Sequence, residues 1–222
     1  DGPNPRPMGN YVLGLPTNGA GIRTYPYSTN FAVDPWTYAK LPQTGGEPHN
    51  VGEVWTTVLW DMTWALIQNK GINTNIYDAT ATGGNNIAMN LVTTGMKLQK
   101  CSPGFVSGRD GILKADTVLY GGQYSCIIWN AFAKRGLGIY ANEGSTNSTN
   151  DGTADFTSPN SAIFTKHVDK DSAQEGEQLT YSFEIKTGFC GGIANQKIVD
   201  TIPTNTTYVS GGTYNAVNRT VT

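Results

Sequence analysis

The spacing of the apolar residues changes once along this chain of 222 residues, and the change limits the folds open to it. Between residues 49 and 142, apolar side chains recur at three- and four-residue steps, which is typical of amphipathic helices. Beyond residue 160 they alternate with polar residues, which is typical of strands. The sequence therefore predicts a multi-domain α plus β protein that is mostly helical first and sheet-forming afterwards.

Four helices are predicted in the first part of the chain. The first runs from about residue 51 to 70, with Gly71 as its C-cap. The second follows the capping pair Asn85–Asn86 and ends near residue 98. The third and fourth span about 107–119 and 123–134, so the helical part is expected to be a compact all-α subdomain.

Composition sets the remaining boundaries. Residues 1–48 are rich in Gly, Pro, Asn and Tyr, and predict a long ordered loop region ahead of the helical residues 49–142. Residues 143–160 are polar and of low complexity, which predicts a linker. Residues 161–222 are interpreted as the opening strands of a β-sandwich, and this domain is expected to be incomplete because a sandwich needs about 100 residues.

Charge and hydropathy exclude two classes of partner. The formal net charge is −2 and no basic stripe is present that could neutralise phosphates, so no nucleic acid is expected. No apolar run reaches the ~18 residues that span a bilayer. Charged residues make up only 14% of the chain, and Gly, Asn, Thr and Ser replace them. This composition favours a secreted or extracellular protein, either free or attached to a cell surface.

Three cysteines are present, and their spacing excludes a thiolate metal site of the C-x-x-C type. Cys101 and Cys126 flank a helical stretch and could close a loop, which would stabilise the fold by roughly 3 kcal/mol. Cys190 is then left over, either as a free buried thiol or as the partner of a cysteine outside the chain.

The two histidines, His49 and His167, lie in different predicted domains, and no H-E-x-x-H motif is present, so no metal site is predicted in this chain. His49 stands where the first helix begins, and is either a capping residue or a hydrogen-bond donor to an oxyanion. Arg23 either ties loop carbonyls together or binds a substrate carbonyl. Tyr25 and Tyr27 are candidates for lining a substrate groove.

Glu53 and Asp61 are candidates for a pair of catalytic carboxylates. On one helix they would lie about two turns apart, which is too far for two carboxylates that face one glycosidic bond. We therefore interpret Glu53 as a structural acid of the helix.

Several segments of the first part follow one another in an order and spacing that is specific to one protein family. They are Gly21–Thr29, Asp34–Tyr38, Pro48–Trp55, Leu59–Trp64, Gly84–Ala88, Leu98–Phe105, Arg109–Leu113 and Trp129–Gly138. Together they resemble the fungalysin family of secreted zinc metallopeptidases over roughly residues 10–142. The resemblance implies the mostly helical C-terminal lobe of a thermolysin-like catalytic domain.

The resemblance implies that this chain carries only some of the catalytic residues of the enzyme. The zinc ligands and the general base are expected outside this chain, in an N-terminal catalytic half, so the chain alone would be inactive. Arg23 and His49 are expected to stabilise the tetrahedral intermediate of protein hydrolysis. The family pattern also favours a Cys101–Cys126 disulfide, and it leaves calcium undecided.

Three segments of the last part, Phe164–Asp169, Gly176–Ile185 and Ile198–Ser210, resemble an immunoglobulin-like conserved-repeat domain of bacterial surface and secreted proteins. This resemblance implies a spacer or adhesion role, with His167 structural. An unfinished sheet has unpaired edge strands to which another strand can bind. Self-assembly through the edges of the β-domain is therefore expected. The alternative function is a non-catalytic extracellular structural or adhesion piece that assembles through the β-domain.

Overall fold

The computed structural model describes residues 2–159, 163–186, 190 and 197–222. Its elements confirm the predicted α plus β composition, with helices first and strands afterwards. They are a 3-10 helix (Tyr38–Thr44), α1 (Pro48–Lys70), α2 (Gly84–Leu98), α3 (Phe105–Tyr120), α4 (Ser125–Lys134), β1 (Ile163–Val168), β2 (Tyr181–Lys186), β3 (Asp200–Thr201), β4 (Tyr214–Asn215) and β5 (Thr220–Val221).

The helical core is built around α1. Val54, Val58, Met62 and Leu66 recur every four residues and are fully buried, so one face of α1 packs against α2 and α4. The helix starts at Pro48, where a missing backbone N–H costs no helical hydrogen bond. The periodicity seen in the sequence is therefore the periodicity of this buried face.

Helices α2 and α3 approach each other closely because glycines face the contact. A Cβ added to Gly111 would lie 2.8 Å from the backbone oxygen of Gly95, and one added to Gly95 would lie 2.9 Å from the Ile112 side chain. Neither position has room for a larger residue without moving a helix backbone. The two glycines thus set the distance between these helices.

The loop region before α1 is fixed to the helices by a buried arginine. Arg135, at the end of α4, is fully buried and donates hydrogen bonds to the backbone oxygens of Ser28 at 2.7 Å and Asp34 at 2.7 Å. It donates a third to the backbone oxygen of Trp36 at 2.9 Å and pairs with the buried carboxylate of Asp61 on α1. The predicted ordered loop is therefore attached to both α1 and α4.

Residues 143–159, the described part of the predicted linker, contact the preceding part of the chain at Glu143 and Asp155. Glu143 accepts hydrogen bonds from the backbone N–H of Ser107 at 2.7 Å and from Lys100 at 2.5 Å. Asp155 accepts one from the backbone N–H of Tyr140 at 2.9 Å. Carboxylates of this segment thus bind partners among residues 100–140.

By residue contacts the chain divides into two compact units, residues 1–190 and 191–222. In the first, β1 and β2 form an antiparallel pair in which Val168 lies opposite Tyr181. In the second, β3, β5 and β4 form an antiparallel sheet in that order, and Tyr208 stacks on Tyr214 at 4.5 Å. Across the described ranges, no helix is long and apolar enough to cross a membrane.

The predicted Cys101–Cys126 disulfide is wrong. Cys126 is bonded to Cys190, with their Cα atoms 5.1 Å apart, and Cys101 is free and exposed. Cys101 precedes α3 and Cys126 follows it. Order along the chain favoured Cys101 as the partner of Cys126, but the fold brings Cys190 to Cys126 instead. A disulfide forms only between cysteines whose Cα atoms lie within about 7 Å, and separation along the chain does not determine that distance.

Candidate functional site

The candidate site lies at the N-terminal end of α1, where one segment of the loop region contacts the first turns of the helix. The backbone N–H of Thr24 donates a hydrogen bond to Oε1 of Glu53 at 2.8 Å. The Thr24 hydroxyl lies 3.5 Å from Oδ1 of Asn50. Arg23 precedes Thr24, and His49 precedes Asn50. The structure therefore brings the two predicted catalytic residues to the same end of one helix.

Electrostatics give a second indication that Arg23 and His49 are close. The exposed carboxylate of Glu47 accepts a hydrogen bond from the backbone N–H of Asn50 at 2.8 Å, and this bond holds the pKa of Glu47 below its ordinary value. The backbone N–H of His49 and the charges of His49 and Arg23 lower that pKa further. Both side chains therefore lie within electrostatic range of one carboxylate.

The two side chains differ in how they are exposed. His49 is exposed at the second position of α1, with its ring open to solvent. Arg23 is half-buried, and its Nε is buried without an acceptor among the described residues. A buried N–H without an acceptor is costly in a folded protein, and an acceptor on a bound ligand or an ordered water satisfies it. The end of α1 thus presents donors that suit an oxygen anion.

Glu53 binds the loop region through both oxygens of its carboxylate. Its side chain is buried, with Oε1 bound to Thr24 and Oε2 accepting from the indole N–H of Trp36 at 3.0 Å. This agrees with its interpretation as a structural acid. The connection to two loop positions could not be predicted, because those donors lie 29 and 17 residues away in the chain.

The two candidate cleft tyrosines separate in the structure. Tyr25 is 36% exposed, and its ring packs edge-on against Trp36 with centroids 5.6 Å apart. Tyr27 is only 3% exposed, lies beside Trp60, and pairs through its backbone with Arg6. Tyr27 is therefore part of the packed interior, and Tyr25 alone remains a candidate for lining a groove.

Zinc is held in proteins by His, Cys, Asp and Glu side chains. Within residues 2–159, 163–186, 190 and 197–222, no three His, Cys, Asp or Glu side chains are grouped closely enough to hold a metal ion. His167 lies exposed on β1. Zinc therefore does not fit the described residues of this chain.

Comparison with known proteins identifies the family. Residues 1–141 match the model of the fungalysin metallopeptidases. The chain belongs to the fungalysin family. This match includes Arg23, His49 and Glu53 and every helix, and it ends before the strands, so the immunoglobulin-like resemblance lies outside it. We call residues 1–141 the fungalysin lobe.

The relatives of this chain are extracellular metalloproteinases. The chain is 46% identical over 136 residues to "Extracellular metalloproteinase 10" of Coccidioides posadasii, covering 60% of this chain and 22% of the relative. It is 44% identical over 144 residues to "Extracellular metalloproteinase MEP" of Neosartorya fischeri, covering 63% and 22%. It is 46% identical over 137 residues to the protein of the same name from Pyricularia oryzae, and this match covers 60% of this chain and 21% of the relative. The chain thus spans about a fifth of the length of these relatives.

Proposed function

We propose that this chain supplies the helical lobe of a secreted zinc-dependent endopeptidase that hydrolyses protein substrates. Its membership of a metallopeptidase family and its extracellular relatives support this activity. The zinc ligands and the general base belong to sequence outside these 222 residues, since the described residues lack a metal-binding group. The chain alone is therefore inactive and acts together with that catalytic half.

In this proposal Arg23 and His49 stabilise the tetrahedral intermediate. When water adds to the scissile carbonyl, the carbonyl oxygen becomes an anion, and donors aimed at it bind it more strongly than they bind the substrate. The observation that carries the proposal is the buried Nε–H of Arg23, which has no acceptor among the described residues and lies at the same end of α1 as His49. Tyr25, fixed against Trp36, lines the adjoining cleft.

The last part of the chain is proposed to be an immunoglobulin-like domain, as its sequence resemblance suggests. Antiparallel pairing of β1 with β2, and of β3 and β4 with β5, supports this assignment. In the described residues β1 and β2 form a sheet of two strands, which leaves outer edges for strand addition. That observation favours a second candidate function, a non-catalytic extracellular piece, free or attached to a cell surface, that self-assembles through the β-domain.

Substitution of His49 in the full-length protein tests the catalytic proposal. Loss of one oxyanion donor lowers kcat by about 100- to 1000-fold, so His49→Ala is expected to reduce peptide hydrolysis by that factor. The melting temperature should stay unchanged because the ring is exposed. His167→Ala is the matched control, since it removes an exposed histidine from β1. Full activity of His49→Ala would exclude the assigned role and leave the structural function as the better account.

A further inference from the structure

Burial of the Glu53 carboxylate costs free energy, because its oxygens lose their hydrogen bonds to water. Glu53 lies on α1 one turn after His49, and its side chain is only 2% exposed. A buried carboxylate is tolerated only when hydrogen bonds replace the water that its oxygens lose. Both oxygens meet this requirement, because Oε1 accepts from the Thr24 backbone at 2.8 Å and Oε2 from the Trp36 indole at 3.0 Å.

The two donors to Glu53 come from separate points of the loop region, and a third contact joins them. Tyr25, directly after Thr24, packs its ring edge-on against Trp36. The carboxylate, the indole and the tyrosine ring therefore form a closed set of contacts around the Thr24 backbone. This set fixes the Thr24 peptide group relative to α1.

Arg23 depends on this set of contacts for its position. Its Nε–H has no acceptor in the described part of the chain, so no such bond holds this part of the guanidinium in place. The peptide that follows Arg23 is, by contrast, bound directly to Glu53. The direction of the arginine side chain is thus set from its backbone, and the backbone is set by Glu53.

We propose that Glu53 is a positioning residue for the peptidase reaction. It holds Arg23 in register with His49 by binding the N–H of Thr24, and Trp36 fixes the second oxygen of the same carboxylate. This inference rests on the proposed function of Arg23 and His49. Displacing a group that acts on the transition state by about 1 Å costs on the order of 100-fold in rate.

A double-mutant cycle in the full-length protein tests the proposal. Glu53→Gln keeps the side-chain size but turns an NH2 toward one of the two donors, so one of the two hydrogen bonds is lost. We expect kcat to fall by about 10- to 100-fold with KM changed less than about threefold. In an Arg23→Ala background, the same substitution should change kcat by less than about threefold, because the positioned group is already absent. Equal losses in both backgrounds would overturn the positioning role.

Asp116→Asn is the matched control for a general loss of folding. Asp116 is also a fully buried carboxylate, and it accepts hydrogen bonds from the Tyr124 backbone at 3.1 and 3.2 Å. Tyr124 lies beside Lys70, the last residue of α1, so this acid is at the opposite end of that helix. Asp116→Asn is expected to change the melting temperature while kcat stays within about threefold. If both variants lose kcat in proportion to stability, Glu53 is merely structural.

Trp36→Phe provides a milder variant that keeps an aromatic ring against Tyr25. It removes the indole donor to Glu53 and leaves the Thr24 bond in place. We expect a loss of kcat in the same direction as for Glu53→Gln, but smaller. Unchanged kcat in Trp36→Phe, together with a full loss in Glu53→Gln, would overturn the part assigned to Trp36.

A second readout separates this inference from the function on which it rests. The 15N–1H signal of the Arg23 Nε–H reports how ordered the arginine is, and it requires no activity. Glu53→Gln should average this signal toward that of a mobile side chain, whereas Asp116→Asn should leave it unchanged. An unchanged signal in Glu53→Gln overturns the positioning inference. Full activity of Arg23→Ala overturns the proposed function, and the signal still decides whether Glu53 positions Arg23.

Discussion

At the scale of single residues, Arg135 determines how the loop region sits on the helices. Its guanidinium is fully buried, binds three backbone oxygens and the Asp61 carboxylate, and lies 4.3 Å from the ring centroid of Phe31. A buried charge with this many partners is stable only while the partners remain. Arg135 thus connects the segment around Trp36, and through it Glu53, to the end of α4.

Removing this cation should destabilise the lobe strongly. Arg135→Met leaves the buried Asp61 paired only with Lys134 at 2.8 Å, so the free energy of unfolding should fall by about 3–5 kcal/mol. Lys134→Met is the control, because its side chain is 36% exposed and its loss leaves Asp61 paired with the fully buried Arg135, so a smaller loss is expected. Urea denaturation measures both values, and equal losses would show that Arg135 has no special role.

Some residues could be predicted as functional from the sequence, whereas the contacts of others are seen only in the structure. Arg23 and His49 stand in short segments that resemble a known family, so they could be named before it was known that Thr24 and Asn50, 26 residues apart, bring those segments together. Arg135 and Glu53 bind partners far away in the chain, 107 residues away in the case of Arg135 and Ser28. Hydrophobic periodicity carries no information on such pairs, so only the folded chain reveals them.

At the scale of elements, the four helices could be predicted well because each has one continuous buried face. The first was expected from about residue 51 and begins at Pro48, where the Glu47 side chain caps it. The third was expected from 107 and begins at Phe105. Its first turn is bound by Glu143, which lies 36 residues beyond Ser107, and no local pattern indicates that contact.

The contact between Glu143 and the start of α3 should make stability depend on pH. Burial raises the pKa of Glu143, but hydrogen bonds from Lys100 and Ser107 outweigh it and hold the pKa below its ordinary value of 4.5. The unfolded chain therefore takes up this proton at a higher pH than the folded chain. The stabilisation is present above about pH 4.5 and is lost as the pH falls through the folded pKa.

Comparing the wild type with Glu143→Gln isolates this effect. The difference in unfolding free energy is expected to be about 1–3 kcal/mol near neutral pH and to shrink below pH 4.5. A difference between variants is needed because burial raises the pKa of Asp34 and Asp116, whose contributions change in the opposite sense. Glu177→Gln, which breaks a surface pair with Lys170, is the control for removing one exposed carboxylate, and the free energy of unfolding should change by no more than about 1 kcal/mol near neutral pH. A difference that is constant with pH contradicts the account.

At the scale of the whole molecule, the order of helical and sheet-forming parts could be predicted, but the covalent pairing could not. Cys126 and Cys190 are separated by 64 residues, and part of the chain between them consists of the strands β1 and β2. Spacing alone favoured the nearer cysteine. Which cysteine reaches Cys126 depends on how the chain folds back over those 64 residues, and local pattern does not indicate that.

Substitution of single cysteines tests this pairing. Closing a loop of 64 residues restricts the unfolded chain, so Cys190→Ser should lower the free energy of unfolding by up to about 4 kcal/mol. Cys101→Ser should leave it unchanged, because that thiol is free and exposed. Peptide mapping without reduction should recover Cys126 linked to Cys190. Recovery of Cys101 linked to Cys126 would show that the pairing is wrong.

The most direct test of the central claim, that Arg23 and His49 bind the oxyanion, is inhibition by a transition-state analogue. The full-length wild type and the His49→Ala variant are compared with a peptide in which a phosphinate replaces the scissile amide. Our account predicts about 100-fold weaker inhibition of the variant, with KM for the parent peptide changed less than about threefold. Equal inhibition of both proteins would contradict it.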